Sequence, residues 1–370
     1  TISPNVFFNV SSLNMGGGSG QISNFGTLET TNPSQYIGLI GGNVSMNGGQ
    51  IKAPGANVEL GGLSQAGNIE FSIDRGVKFP ASVERGNVSL VQVGTSPSII
   101  NVESGGGGSV GIFAKDINLQ GAETYISSGI AAGLGAPTAT VGDIKLDATG
   151  NITISQADIY NQVAAGAAGN AGNIEINSRN LTATDGVQLG ATTFGQGDAG
   201  NVTITATGNV SFDGTDRSFP SGAFSAVELG AVGKGGKVEI NAENLSVTNG
   251  AQLSTSTSGT GNAGNLIVNA TTVVIDRESP RTSTIPPIPT GLFAQVAENA
   301  TGNAGDLTLT TKKLSVSNGG KVQAATFGKG NGGNLVIKAD EIDVFDTPGV
   351  ITEQLTNINA GLGFDKDRNN

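Results

Sequence analysis

The sequence predicts an all-β fold, a right-handed parallel β-helix (β-solenoid) with about three short strands in each 28-residue rung. Three observations lead there. Residues 172–199, 236–263 and 305–332 read "GNIEINSRNLTATDGVQLGATTFGQGDA", "GKVEINAENLSVTNGAQLSTSTSGTGNA" and "GDLTLTTKKLSVSNGGKVQAATFGKGNG", and align without a gap over 28 positions. A fixed internal period is the signature of a stacked repeat. Within each unit apolar and polar residues alternate, which is the period of a half-buried strand. Finally, with 59 Gly, 36% hydrophobic and 5% aromatic residues and no Trp in 370 residues, the chain is too weakly apolar for a compact globule. It suits a core that grows one rung at a time.

Each unit opens at a glycine, and the marked glycines fall at 142, 172, 200, 236, 264, 305 and 333. In the unit at 236 a first strand carries Val238 and Ile240, a second Leu245 and Val247, and a third Leu253. Every run is short and bounded by Gly, Asn, Asp or Ser, which makes strands separated by turns. Stacking in register places Val238 under Leu266 and Leu245 under Val273. Strand twist favours a right-handed coil, and about 12 rungs at ~4.8 Å each make a rod of roughly 60 Å. Both ends of such a rod expose strand edges, so the chain is expected to self-associate end to end or side by side, or to rely on neighbouring rungs.

After the second strand comes a turn marked by Asp185, Asp213, Asn249, Asp276, Asn318 and Asp346, within "TDG", "FDG", "TNG", "IDR", "SNG" and "FDT". These six are expected to stack on one edge as an Asx ladder, each side chain bonding its own backbone two residues on. The competing reading is a carboxylate column that binds calcium or a glycan. Carboxylates stacked at ~4.8 Å repel one another, and the frequent Asn favours the structural ladder. A second calcium candidate is the tail "GFDKDRNN", where Asp365, Asp367 and Asn369 mimic the first three positions of a calcium loop. That motif needs a following Gly and a bidentate Glu, and Asn370 stands there instead. No other cofactor is implied.

Two spacings between marked glycines, 36 and 41 residues, exceed the unit. The extra residues lie near 214–222 and 277–291, begin just after Asp213 and Asp276, and return through "PSGAF" and "PTGLF". Inserted at the same turn of alternate rungs, they are expected to share one edge of the rod. They carry Arg217, Phe219 and Pro220 in one and Arg277, Arg281, Pro286, Pro287 and Ile288 in the other. These residues are candidate contacts for a neighbouring rod or a surface glycan. The alternative is that the loops merely cover a strand edge, since loops accept length cheaply.

The N-terminal part has units nearer 20 residues, in "ISNFGTL", "IGLIGGNVSMNGGQI" and "APGANVELG". This stretch resembles the filamentous-haemagglutinin type of two-partner-secretion exoprotein, and the later "GNAGN" units resemble repeats of its large cyanobacterial members. The resemblance implies secretion through an outer-membrane partner, a β-helical surface protein, and no catalytic residues to transfer. It also divides the chain into residues 1–62, like the end of a secretion domain, and a continuous repeat region over 63–370. Most of a secretion domain is missing before Thr1, so the chain is expected to be a piece or a processed product of a longer polypeptide.

Composition narrows the chemistry. There is neither cysteine nor histidine, which removes thiolate and imidazole chemistry. A formal net charge of -11 disfavours nucleic acid and anionic membranes, and no apolar window is long enough to span a bilayer as a helix. Carbohydrate-degrading β-helices need paired carboxylates, or an Arg or Lys base near a calcium site, gathered on one face of adjacent rungs. The arginines, Arg75, Arg85, Arg179, Arg217, Arg277, Arg281 and Arg368, are scattered, and the Asn-x-Ser/Thr triplets reflect composition. The expectation is therefore a secreted structural or adhesive rod at the cell surface or in the extracellular matrix, without catalysis. The alternative is a carbohydrate-binding or carbohydrate-degrading β-helix.

Overall fold

The computed structural model describes residues 12–15, 20–33, 35–64, 67–72, 76–79, 84–216, 219–281, 286–348, 350, 352 and 355–362. These residues form strands and turns and no helix. Almost all strands belong to two large sheets, one of 19 and one of 11 strands, in which every pairing is parallel. The larger sheet holds the first and second strands of each rung, and the smaller holds the third. One third strand per rung gives eleven rungs among the described residues.

Register follows the repeat. Val238 pairs with Leu266 and Leu245 with Val273, as the 28-residue offset requires. The early rungs are shorter, since Tyr36 pairs with Asn57, Ile22 with Val44 and Thr27 with Gln50. The sheets run unbroken across residue 62, with Val58 paired to Val110 and Val44 to Val88. Between Val58 and Val88 lies an excursion that the sequence reading did not mark, Gly67–Ser72 and Gly76–Lys78, which pairs with the preceding Ser12–Met15 as a three-stranded antiparallel sheet.

Period-two alternation turns one side of every strand inward, and parallel pairing stacks the inward residues into columns. On the first strands the column Ile112, Leu146, Ile176, Ile204, Ile240, Val268 and Leu309 is buried throughout. On the second strands Ala183 lies next to Phe212, which lies next to Val247, so the large ring is accommodated by a small neighbour. Each buried aliphatic contributes about 1.5–3 kcal/mol. At the last described rung Ile342 and Val344 continue the columns of Leu314 and Val316 but are each 48% exposed, because no further rung among the described residues covers them.

One feature differs from the expected three short strands. Val238–Thr248 and Leu266–Asp276 are single strands of 11 residues. The inward phase steps from Ile240 to Leu245, so the chain bends at 242–244 while pairing persists from Ala242 to Ala270 and from Asn244 to Thr272. Neighbouring rungs place Thr149 and Gly150, or Thr207 and Gly208, at this corner and lose strand geometry there. The corner at 242–243 is one residue shorter, since the pairing offset falls from 36 at Asn241 to 35 at Asn244, and keeps it.

Replacing Val247 by Asp puts an unpaired charge into this column and is expected to cost at least ~3 kcal/mol in urea denaturation. The outward Ser246→Asp is expected to stay within ~0.5 kcal/mol of the parent. Equal midpoints for the two variants would show that the inward phase is misassigned.

Candidate functional site

The turn after the second strand forms the edge from which the inserts depart. A left-handed residue sits there in each of six successive rungs: Gln156, Asp185, Gly214, Asn249, Arg277 and Asn318, with φ between 50° and 75°. The six predicted ladder residues therefore do not share one column. Pairing puts Asp213 opposite Thr184 and Thr248, and Asp276 opposite Thr248 and Ser317. Both lie one residue before the turn position that Asp185, Asn249, Asn318 and Asp346 occupy. The register is fixed by inward aliphatics, so the turn column follows pairing and not the identity of the polar residue. A 27-residue step from Asn249 to Asp276, one short of the repeat, was the signal in the sequence.

The side chains also bond differently from an Asx turn. Among the described residues none of the six contacts its own backbone two residues on; the bonds run to a neighbouring side chain or between rungs. Asn249 Nδ2 donates to Asp213 Oδ1 at 2.6 Å, beside the Thr248 hydroxyl, which donates to the same oxygen. Asp276 Oδ1 accepts from Asn318 Nδ2 at 2.6 Å and from Ser317 Oγ at 2.7 Å. Asp185 accepts from the Ser155 and Thr184 hydroxyls at 3.0 and 2.9 Å, and Asp346 from the Thr356 hydroxyl. From Asp213 to Asp346 acid and amide alternate along the edge, and the carboxylates are satisfied by protein donors.

Three further ladders run through positions that the sequence reading did not single out. After five of the marked glycines an Asp or Asn accepts the next rung's backbone N–H, as from Asn173 N to Asp143 Oδ1 at 2.7 Å, Asn201 N to Asn173 Oδ1 at 3.0 Å, Lys237 N to Asn201 Oδ1 at 2.7 Å, Asp306 N to Asn265 Oδ1 at 2.9 Å and Asn334 N to Asp306 Oδ1 at 2.8 Å. Three residues earlier the pattern repeats, from Asp198 N to Asn170 and from Asn331 N to Asn303, both at 2.9 Å. A third column links Asn43, Asn87, Asp116 and Asn151. The recurring "GNAGN" phrase encodes the first two.

The inserts dock on this same edge. A β-carbon added at Gly250 would lie 2.6 Å from Ser279 Cβ and 2.7 Å from Thr215 Cγ2, so the two inserts flank one turn. Their return residues cap the glycine N–H groups of the shorter rungs: Gly186 donates to Ser221 Oγ at 2.9 Å and Gly250 to Thr290 Oγ1 at 2.6 Å. Gly319 likewise donates to Thr356 Oγ1 at 2.7 Å, which marks a third insert after Asp346 that the sequence reading missed because its return phrase, "LTNIN", is degenerate. Ser221, Thr290, Glu278 and Ser279 are buried, as is Pro287, and Ile288 N donates to Ser279 Oγ at 2.7 Å. These loop ends are scaffold. Among the described insert residues the exposed ones are Phe219, at 58%, Arg277, Pro280, Arg281 and Pro286, with Pro220 and Ile288 half-exposed. Phe219 and Pro220 pair back onto Asp216 and Thr215 as a small hairpin. Arg217, Asp365, Asp367 and Asn369 lie outside the described residues.

Titratable groups do not gather. Among the described residues no group of three or more Asp or Glu is placed to hold a metal. Arg85 pairs with Asp147 at 2.6 Å, and Lys313 with Glu341 and Asp343, which raise its pKa. Burial raises the pKa of Glu228 and of Asp158, the latter opposed by the backbone N–H of Gln188 and the Tyr160 hydroxyl. An open pocket of about 270 Å³ is lined by Asn43, Val44, Asn87, Val88, Asp116 and Asn118 among others, over the third Asn ladder. The chain matches no family model, no curated protein and no solved structure.

The acid–amide pairing of the turn ladder is testable. Asn249→Asp replaces the donor to Asp213 with a like charge and is expected to cost about 1–3 kcal/mol at neutral pH. The loss should shrink as pH falls and one carboxyl regains a proton to donate. Exchanging the pair, Asp213→Asn with Asn249→Asp, should restore most of it. A pH-independent loss, or no rescue by the exchange, would refute the pairing.

Proposed function

We propose that the chain is part of a secreted rod at the cell surface or in the extracellular matrix, with a structural and adhesive role and no catalysis. It is built as a right-handed parallel β-helix. The single observation that carries this reading is that inward columns and outward polar ladders alike join one rung to the next along the whole described stack. Such a molecule presents repeating edges and faces over a long reach, which suits bridging and display. Right-handedness rests on the strong preference of parallel crossovers for that hand. The resemblance to filamentous-haemagglutinin-type exoproteins supports export through an outer-membrane partner. The open columns at Ile342 and Val344 support contact with a further rung, from a neighbour or a second copy. A carbohydrate-binding rod is the second reading, favoured by an aromatic row on the third-strand face.

Fractionating cells of the source organism and labelling them intact and permeabilised with an antibody against this chain tests the reading. The expected result is label on intact cells or in the medium, and loss of adhesion when the protein is removed. Label confined to permeabilised cells would overturn it.

A further inference from the structure

We infer that the outward face of the third-strand sheet, beside the inserts, is a binding strip for an uncharged, extended linear glycan lying along the stack. This rests on the adhesive reading and gives its ligand a chemical class. Two neighbouring outward rows carry the argument. In one, Tyr160 pairs with Gly190, Gly190 with Phe224, Phe224 with Ser254 and Ser254 with Phe293, so an aromatic ring recurs on every second rung. In the other, Gln188 pairs with Gly222, Gly222 with Gln252 and Gln252 with Gly291, so an amide recurs on the rungs between. Rings and amides thus form a checkerboard with a two-rung period.

The rings lie down on the sheet. A β-carbon at Gly222 would meet Phe224 Cζ at 2.7 Å, and one at Gly291 would meet Phe293 Cζ at 2.8 Å, so each ring is laid back along its own strand over a glycine. A laid-down ring offers breadth to a ligand without standing away from the backbone. Tyr160, Gln188, Phe224 and Gln252 are half-exposed. Phe293 is only 3% exposed, and Gln252 Nε2 donates to the Pro289 carbonyl of the second insert at 2.8 Å. The strip is therefore open over Tyr160 to Gln252 and closed at the insert.

A pyranose has an apolar C–H face that packs on an aromatic ring and a rim of hydroxyls that bonds amides, the mixture of apolar surface and few placed polar groups that ligand sites use. In an extended β-1,4-linked chain successive rings face opposite ways, so the same face returns at every second sugar. One sugar advances by about one rung, which places the disaccharide repeat on the ~9.6 Å spacing of alternate rungs. Asp158 closes the Tyr160 end of the amide row, where it accepts from Gln188 N at 2.8 Å; from Gln188 to Phe293 the two rows carry no charged side chain, and the protein's net charge of -11 repels acidic polysaccharides. A second rod would favour an unbroken apolar stripe, whereas here glycine and serine separate the rings.

Calorimetric titration of the chain with cellohexaose and hexa-N-acetylchitohexaose, against maltohexaose and oligogalacturonate, decides it. At least one β-1,4-linked hexamer should bind saturably, and the other two compounds should not. Phe224→Ala and Gln188→Ala should each weaken binding, the first by about ten-fold or more, while Phe219→Ala on the insert tip changes nothing. If Phe224→Ala lowers the melting temperature, Gln188→Ala carries the test. Failure of both hexamers to bind, or binding indifferent to both strip variants, overturns the strip. A dimer lost in Phe224→Ala overturns it in favour of a second copy. Adhesion that persists in Phe224→Ala when no hexamer binds the parent removes the strip and leaves the adhesive rod standing.

Discussion

A carbonyl oxygen of each rung occupies the place where the next rung's glycine would carry its β-carbon. At Gly200, Gly236, Gly264, Gly305 and Gly333 that oxygen would lie 1.7 to 2.1 Å from the added atom, a distance no real side chain tolerates. A parallel column of Gly197, Gly233, Gly261, Gly302 and Gly330 is equally closed, at 1.6 to 1.9 Å. Sheets hold their strands ~4.8 Å apart by hydrogen bonds. At a corner the backbone turns, and it keeps the same rise only if adjacent rungs touch main chain to main chain. Glycine at both positions of "GNAGN" permits that contact, and the inward columns, the turn column and the inserts all depend on the rung-to-rung spacing it allows.

Close backbone contact leaves corner N–H groups to satisfy, and the polar residues of the same phrase do so. Asn and Asp side chains reach across one rung to accept the next rung's N–H, as Asn201 N to Asn173 and Asp306 N to Asn265 illustrate. Amides suit this task because their carbonyl accepts from the next rung while the NH₂ donates elsewhere, without the repulsion of stacked carboxylates. Where acid does enter, it meets an amide or hydroxyl donor, as Asp213 meets Asn249 and Asp276 meets Asn318. Glycine, asparagine and threonine thus do at the corners what packed side chains do in a globule. A chain with 5% aromatic residues can hold a fold this way, and its outer faces remain available for sparse rings such as Tyr160 and Phe224.

Much of the fold was legible because the repeat is ungapped: Val238, Leu245 and Leu253 are buried at the positions alternation assigns them, and their partners follow from a 28-residue offset. The turn column was misread by one residue at Asp213 and Asp276, because acid identity was followed where pairing register decides. The "GNAGN" ladders were visible as a phrase, but their meaning depends on contacts between residues 28 or more positions apart. The third insert and the Ser12–Met15 sheet have no internal copy to align with. The checkerboard of Phe224, Gln188 and Gln252 was hidden for a different reason. It spans alternate rungs, so it emerges only once pairing shows which outward residues share a row.

Gly264→Ala tests the central constraint most directly. Gly264 does not adopt a positive φ, so alanine there adds steric overlap with Gly236 O without backbone strain. Gly26, whose β-carbon would meet nothing within 4 Å, is the matched control. In paired urea denaturations Gly264→Ala should lose about 2–3 kcal/mol or more, while Gly26→Ala stays within ~0.5 kcal/mol of the parent. Unfolding of Gly264→Ala at the parent's midpoint would contradict the account, because the corner would then have room for a side chain and the rung spacing would not be set there.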